Sequence, residues 1–275
     1  MGQFATRAPH SPLPQRAGAD PAIHAGKTIL VTGAGGGIGA ATARLLAKRG
    51  ARVALADIRE SPLRDAAETI ADSAAFLLDL ADPGSIAAVV AAVEKRFGHI
   101  DGLVNCGAIV VHADPLEAAW ADWERVFRVN VFGAYETARR VAKSMIAKGV
   151  RGAIVNVASE AGKKGHVDSL AYSASKAAVI NMTRTLSASL AAHDINVNCV
   201  CPGGVTTDML REVAVAYGKL AGQTPEAVFD QLTSSQLQRR IEPEEVARAI
   251  SLLLSDDAFL IRGQAINADG GDTPY

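Results

Sequence analysis

The sequence predicts one α/β domain, a doubly wound parallel sheet of about seven strands with helices on both faces. Three observations carry that prediction. From Lys27 onward, short β-branched runs alternate with Ala/Leu/Arg/Glu-rich segments of helical character, some seven times. Several of the runs are apolar throughout rather than alternating, as strands covered on both faces must be. The first run is joined to the first helical segment by TGAGGGIGA, Thr32 to Ala40, with five glycines in seven positions. Such a stretch costs too much backbone entropy to serve as helix or strand interior.

The candidate strands in order are KTILVT, RVALAD, AAFLLD, DGLVN, GAIVNVAS, INVNCVC and QAINAD. AATARLLAKRG and SIAAVVAAVEKRFG read as helices between them. Asp82 followed by Pro83 makes an N-cap and first-turn pair, and Gly50 and Gly98 stand where helices end. No linker splits the chain after residue 26, so residues 26–275 form one catalytic unit. Residues 203 to about 240 are long for a connection and contain two helical segments, TDMLREVAVAYGKL and TPEAVFDQL. An excursion after a strand's C-terminal end is where a substrate lid would sit. Residues 1–25 are Pro/Ala-rich without periodicity or an apolar core, and read as a disordered tail rather than a secretory signal.

Composition narrows the partners. With a net charge of −1 over 275 residues, nothing points to nucleic acid or an anionic membrane. No run approaches the roughly 20 apolar residues of a membrane helix. Three cysteines suit a reducing, cytoplasmic compartment, and Cys199 and Cys201 read as structural thiols on a buried strand. No His/Cys/carboxylate cluster suggests a metal.

The glycine-rich stretch has the context of a phosphate-binding turn, since it follows a strand and opens a helix. Two registers fit: Gly35, Gly37 and Ala40 as G-x-G-x-x-[GA], or Gly33, Gly37 and Gly39 as T-G-x-x-x-G-x-G. RVALAD ends at Asp57, 18 residues beyond Gly39, where a carboxylate accepts hydrogen bonds from both adenosine-ribose hydroxyls. A 2′-phosphate there meets like charge, so Asp57 favours NAD over NADP, although Arg59 stands close enough to accommodate that phosphate.

Tyr172 and Lys176 are spaced i, i+4, which puts both on one helix face. A phenol titrates near ~10, so acid–base work at neutral pH requires a shift of ~3 units, roughly 4 kcal/mol of differential stabilisation. An adjacent ammonium and an oxidised nicotinamide both act in that direction. Ser159 lies 13 residues upstream of Tyr172, at the end of GAIVNVAS, where ligands bind in such sheets.

With T-G-x-x-x-G-x-G, Ser159, Y-x-x-x-K and CPGGVTTDM in this order, the chain resembles the short-chain dehydrogenase/reductase family from Lys27 to Asp272. The resemblance implies a Rossmann-type sheet and a homotetramer. It implies that Tyr172 is the general acid/base, that Ser159 bonds the reacting oxygen, and that Lys176 holds the nicotinamide ribose and lowers the Tyr172 pKa. Asn130 matches the asparagine that holds a proton-relay water. Gly33, Gly37 and Gly39, with Ile38 between them, match the cofactor turn, which selects the second register. Asp79 matches the adenine-contacting aspartate, Pro202 and Gly203 the pair near the nicotinamide, and Thr207 its carboxamide partner. The usual N-N-A-G reads here as Asn105, Cys106, Gly107, Ala108: the first asparagine is kept and the second replaced.

The reaction implied is hydride transfer between NAD(H) and a secondary alcohol or ketone. Glu160, His166 and Met209 are the candidates for substrate contact, with His112 a further histidine near the fourth strand. GGVTTDMLREVAVAYGKLAG resembles the lids of acetoin/butanediol and sugar-alcohol dehydrogenases, which implies a small polyol, vicinal diol or hydroxyketone. A 3-oxoacyl-thioester reductase is the alternative enzyme, and a catalytically silent NAD(H)-binding regulator the alternative of another class.

Overall fold

The computed structural model describes residues 22–273, residue 235 excepted. Among the described residues seven strands form one sheet: β1 (Thr28–Thr32), β2 (Arg52–Asp57), β3 (Ser73–Leu77), β4 (Gly102–Asn105), β5 (Ala153–Val157), β6 (Asn196–Pro202) and β7 (Ala265–Ala268). All pairings are parallel and the order is β3-β2-β1-β4-β5-β6-β7. The order reverses at β1, which pairs with β2 on one side and β4 on the other. A crevice therefore opens beyond the C-terminal ends of β1 and β4, the place where such sheets bind ligands.

Helices cover both faces. They are α1 (Gly37–Lys48), α2 (Glu60–Glu68), α3 (Pro83–Phe97), α4 (Trp120–Phe127), α5 (Ala134–Ala147), α6 (Ala161–Lys164), α7 (Leu170–Leu190), α8 (Asp208–Ala221), α9 (Pro225–Gln231) and α10 (Pro243–Leu254). Side chains of β1 alternate between two cores. Ile29 and Val31 pack with Leu46 of α1, Leu55 of β2 and Ile250 of α10. Leu30 packs on the other face with Val93 of α3 and with Val141 and Met145 of α5. Full burial of such a side chain contributes about 1.5–3 kcal/mol, so both layers hold the sheet. Cys199 and Cys201 lie fully buried with Val179 and Ile180 under α7, as the structural reading of these thiols expects.

The helix punctuation is as read from the sequence. The Asp82 side chain accepts from the Gly84 and Ser85 amides at 2.8 and 3.1 Å, with Pro83 opening α3. Gly98, at φ 91°, ends that helix, and Gly50, at φ 89°, follows α1. Several strands are shorter than the runs that announce them, β3 and β5 among them. β3 stops at Leu77, and Asp79 instead turns the chain by accepting from the Ala81 amide at 2.8 Å. β5 stops at Val157, which leaves Ser159 just outside the sheet.

The two lid helices form where expected. Thr207 and Thr224 cap α8 and α9, accepting from the Leu210 and Ala227 amides, and the pair shares a small core of Ala214, Val228 and Phe229. The tail expected over 1–25 lies outside the described residues up to 21. Residues 22–25 are not part of a loose tail. They form a turn, and His24 is fully buried with Nε2 2.8 Å from Ser251 Oγ on α10. Burial first, then the charges of Lys27 and Arg49, push the His24 pKa down to about 4, so it packs as a neutral ring.

Candidate active site

The three glycines of the T-G-x-x-x-G-x-G register do different work. Gly33 has φ 68°, and a Cβ there would sit 2.7 Å from the Gly107 backbone, so the turn after β1 and the turn after β4 touch through their main chains. Gly39 packs the first turn of α1 onto this loop, and a Cβ there would overlap the Gly33 carbonyl oxygen. Gly37, at φ 51°, opens α1 and faces Thr207 across the crevice. No side chain caps α1 and no acidic residue lies in its first turn. Its unpaired amide groups are thus left for an anion, which fits a pyrophosphate. Ile38, half-buried, anchors the turn on the α1-side core.

Asp57 ends β2 beside this turn, buried. Its Oδ2 accepts from the Gly35 amide at 2.9 Å, and its Oδ1 from the Arg59 amide at 2.9 Å and Arg59 Nε at 3.3 Å. Arg59 reaches back over the glycines, with Nη2 3.0 Å from where a Gly36 Cβ would stand. Carboxylate and guanidinium thus share the ribose end of the crevice. The Asn105 side chain is turned into the core. Its side-chain nitrogen donates to the Ala134 carbonyl at 3.0 Å and to Asn156 Oδ1 at 2.9 Å, inside the core. Cys106, in the position of the missing asparagine, has its thiol pushed up to about 12 by burial, which makes it unreactive.

Ser159, Tyr172 and Lys176 converge beyond the end of β5. Ser159 Oγ accepts from the Ala161 amide at 3.1 Å, which fixes it at the start of α6. Tyr172, half-buried, lies in the first turn of α7, and the Ser159 hydroxyl is among the groups that act on its phenol. Lys176 is buried one turn later, its Nζ donating to the Val157 carbonyl at 2.8 Å and standing 5.5 Å from the Tyr172 ring centroid. α6 can lie this close because Gly162 has no Cβ, which would meet the Lys176 main chain at 2.7 Å.

The electrostatics differ from the expectation that Lys176 lowers the Tyr172 pKa. Burial pushes Tyr172 up to about 12; the Ser159 hydroxyl opposes this, and Cys106 and Glu160 add to it. Lys176 is itself pushed down to about 8 by burial, with the neighbouring thiols opposing. Lys176 is not among the groups that move the phenol in the cofactor-free protein.

A stability prediction follows from Lys176. Between about 8 and its ordinary 10.5, the unfolded chain holds a proton that the folded chain has lost, so this group's contribution to stability rises with pH across that window. Below it the fold carries a buried ammonium. Lys176→Met is therefore expected to stabilise the cofactor-free protein at pH 7, by on the order of 3 kcal/mol less the lost Val157 hydrogen bond. The gain shrinks as pH approaches 10.5, which urea midpoints at several pH values measure.

Asn130 sits in a π-helical turn, Arg128–Gly133, between α4 and α5. Its Oδ1 accepts from the Ile109 amide at 2.9 Å, and its Nδ2 donates to the Ile109 carbonyl at 2.9 Å and Ser175 Oγ at 3.0 Å. The side chain is a clamp between the loop after β4 and α7. Both of its donor hydrogens are spent there, so a relay water would rest on main-chain groups rather than on this amide.

The substrate candidates scatter. Glu160 is buried rather than solvent-facing, paired with Lys164 at 3.0 Å and His166 at 3.5 Å. Met209 is half-buried in the first turn of α8. Pro202 ends β6, its carbonyl accepting from the Glu160 amide at 3.0 Å, and Gly203 packs against Asp269, where a Cβ would meet Asp269 Cα at 3.0 Å. Asp168 and Tyr217, which no motif marked, meet His112 at the rim of this site.

Among the described residues no helix is long and apolar enough to cross a membrane. Residues 27–217 match the short chain dehydrogenase family. Galactitol 2-dehydrogenase of Agrobacterium fabrum is 37% identical over 248 residues, covering 90% of this chain and 97% of that one. The crystal structure of an NAD+-bound xylitol dehydrogenase superposes with a TM-score of 0.85 at 32% identity, covering 90% of this chain and 99% of the other. That of a single-residue variant of the actinorhodin polyketide ketoreductase with NADPH superposes with a TM-score of 0.87 at 34% identity, covering 93% of this chain and 100% of the other. The chain belongs to the short-chain dehydrogenase/reductase family, nicotinamide-dependent enzymes that transfer hydride at secondary alcohols and ketones.

Proposed function

We propose that this protein interconverts a secondary alcohol and a ketone with NAD(H), acting on a small polyol, vicinal diol or hydroxyketone. The convergence of Ser159, Tyr172 and Lys176 beyond the end of β5 supports the catalytic part most directly. In oxidation, Tyr172 takes the hydroxyl proton while Ser159 donates to the same oxygen, and together they stabilise the charge developing there. Lys176, fixed by Val157, is placed to hold the nicotinamide ribose. When bound, the oxidised nicotinamide supplies the hydride acceptor and a positive charge beside the phenol. Gly33, Gly37, Ile38 and Gly39 would hold the pyrophosphate, Asp57 the adenosine ribose and Asp79 the adenine, with Asn105, Pro202, Gly203 and Thr207 lining the nicotinamide end.

NAD is favoured because the buried Asp57 carboxylate occupies the place a 2′-phosphate would need. Use of NADP is the lesser reading, supported by Arg59 lying over Gly36. The polyol reading is supported by the likeness to galactitol and xylitol dehydrogenases and by the polar side chains Glu160, Asp168 and Tyr217 around the site. A 3-oxoacyl-thioester reductase is the second reading, supported by the ketoreductase likeness.

Measured kcat/KM with NAD and NADP across polyols, vicinal diols, hydroxysteroids and 3-oxoacyl thioesters separates these. NAD-linked oxidation of a diol or polyol is expected. Activity confined to a 3-oxoacyl thioester with NADPH would overturn both the substrate and the cofactor. A cytoplasmic homotetramer is proposed as well, with the exposed Trp120, Phe132 and Tyr135 between the starts of α4 and α5 as one contact face. Light scattering of the purified protein tests the tetramer.

A further inference from the structure

His112, Asp168 and Tyr217 come from three separate parts of the chain: the loop after β4, the approach to α7, and the lid helix α8. Asp168 is buried and uses both oxygens. Its Oδ2 lies 2.8 Å from His112 Nδ1, and its Oδ1 accepts from the Tyr217 hydroxyl at 3.0 Å. The Asp168 carbonyl also accepts from the Ala113 amide at 2.9 Å, so the main chain beside His112 is held too. The His112 ring stands edge-on to Tyr217, with centroids 6.4 Å apart.

The cluster adjoins the reacting centre. Asp168 is four residues before Tyr172 and two after His166, whose Nε2 stands 3.5 Å from the carboxylate of Glu160, the residue that follows Ser159. Among the described residues, the Tyr217–Asp168 bond is the one side-chain hydrogen bond that ties α8 to the body of the domain.

Among the described residues, the other ring nitrogen, His112 Nε2, is buried without a hydrogen-bond partner. Buried polar atoms are nearly always paired, so an orphan this close to a reacting centre needs an account. Asp168 fixes the ring plane and the state of Nδ1, which leaves Nε2 as the free acceptor or donor of the pair.

We propose that His112 is a specificity-determining residue, which, oriented by Asp168, binds a second oxygen of the substrate. That oxygen is a hydroxyl or carbonyl apart from the one that Ser159 and Tyr172 hold. The assignment rests on those two as the reacting pair, and it confines good substrates to molecules with two oxygens. A site built to hydrogen-bond such a group discriminates against an analogue without it, because its own polar atom then stays buried and unpaired. Tyr217 shares the carboxylate, so the seating of the lid and the aim of the ring depend on one anchor, and closure of α8 would shut the second oxygen away from water.

Matched substrate pairs test this. kcat/KM is measured for a vicinal diol and the monohydric alcohol of the same carbon chain, and for a 3-oxoacyl thioester and a simple methyl ketone. The proteins compared are the wild type, His112→Leu, His112→Gln, Asp168→Asn, Tyr217→Phe and Tyr172→Phe. His112→Leu is expected to lower the two-oxygen to one-oxygen selectivity about tenfold or more, chiefly through KM. His112→Gln, whose amide reaches near the place of Nε2, recovers part of it, and Asp168→Asn and Tyr217→Phe fall between. An unchanged ratio in His112→Leu, with both members of each pair slowed alike, would reduce the residue to a structural tie and overturn the assignment. A change confined to the thioester pair upholds His112 and removes the polyol reading. Activity surviving in Tyr172→Phe removes the reacting pair, and His112's role with it.

Discussion

Tyr172→Phe is expected to lower turnover about 10³- to 10⁴-fold while NADH still binds, the loss typical of a positioned general acid/base. The change removes one oxygen from a ring that stays half-buried in the first turn of α7, so packing is conserved. Ser159 keeps its bond to the Ala161 amide and can still donate to a substrate oxygen. What is lost is the only hydroxyl of the trio that both approaches Ser159 and lies beside the Lys176 amine. Stopped-flow NADH formation, with binding followed separately by cofactor fluorescence, distinguishes this loss from misfolding. A variant within tenfold of the wild type would mean that another group moves the proton.

Gly39→Ala is expected to abolish cofactor binding, with NADH affinity falling at least about 100-fold and stability by about 1–3 kcal/mol. One methyl group has this effect because its neighbour is main chain. The new Cβ would overlap the Gly33 carbonyl oxygen and lie 2.7 Å from its carbon, and neither can rotate away as a side-chain tip would. Gly33 in turn is pressed against Gly107, so the strain passes directly into the turn after β4. Gly37→Ala should be milder. Its Cβ meets only the Thr207 side chain, the methyl at 3.1 Å and the Cβ at 3.6 Å, although the positive φ of 51° remains costly for an L-residue. Titration calorimetry with NADH on both variants reads the difference.

Much of this architecture was legible because the chain marks it twice. Apolar runs announced the strands, and Asp82, Gly50 and Gly98 announced helix ends with residues chosen for backbone geometry. Errors came where a side chain overrides a run: Asp79 bends the chain out of β3 by binding the Ala81 amide, although the letters before it read as strand. The π-helical turn carrying Asn130 leaves no compositional mark, so the commitment of its amide to Ile109 and Ser175 was invisible. The spacing of Tyr172 and Lys176 placed both on one face, but not the direction of the phenol's shift, which depends on how deeply the fold buries each group. Asp168 and Tyr217 lie 49 residues apart, in a loop and on a lid, and only folding brings them together.

The pH dependence of alcohol oxidation, as kcat/KM at saturating NAD, bears most directly on Tyr172 as the base. Without cofactor, burial pushes the phenol up to about 12, and base catalysis near neutral pH requires the bound, positively charged nicotinamide to bring it down. Oxidation needs the deprotonated form, so the rate should rise about tenfold per pH unit and level off near pH 7–8, with ketone reduction falling through the same value. A rate still climbing tenfold per unit beyond pH 10, or flat from pH 5 to 10, would contradict it.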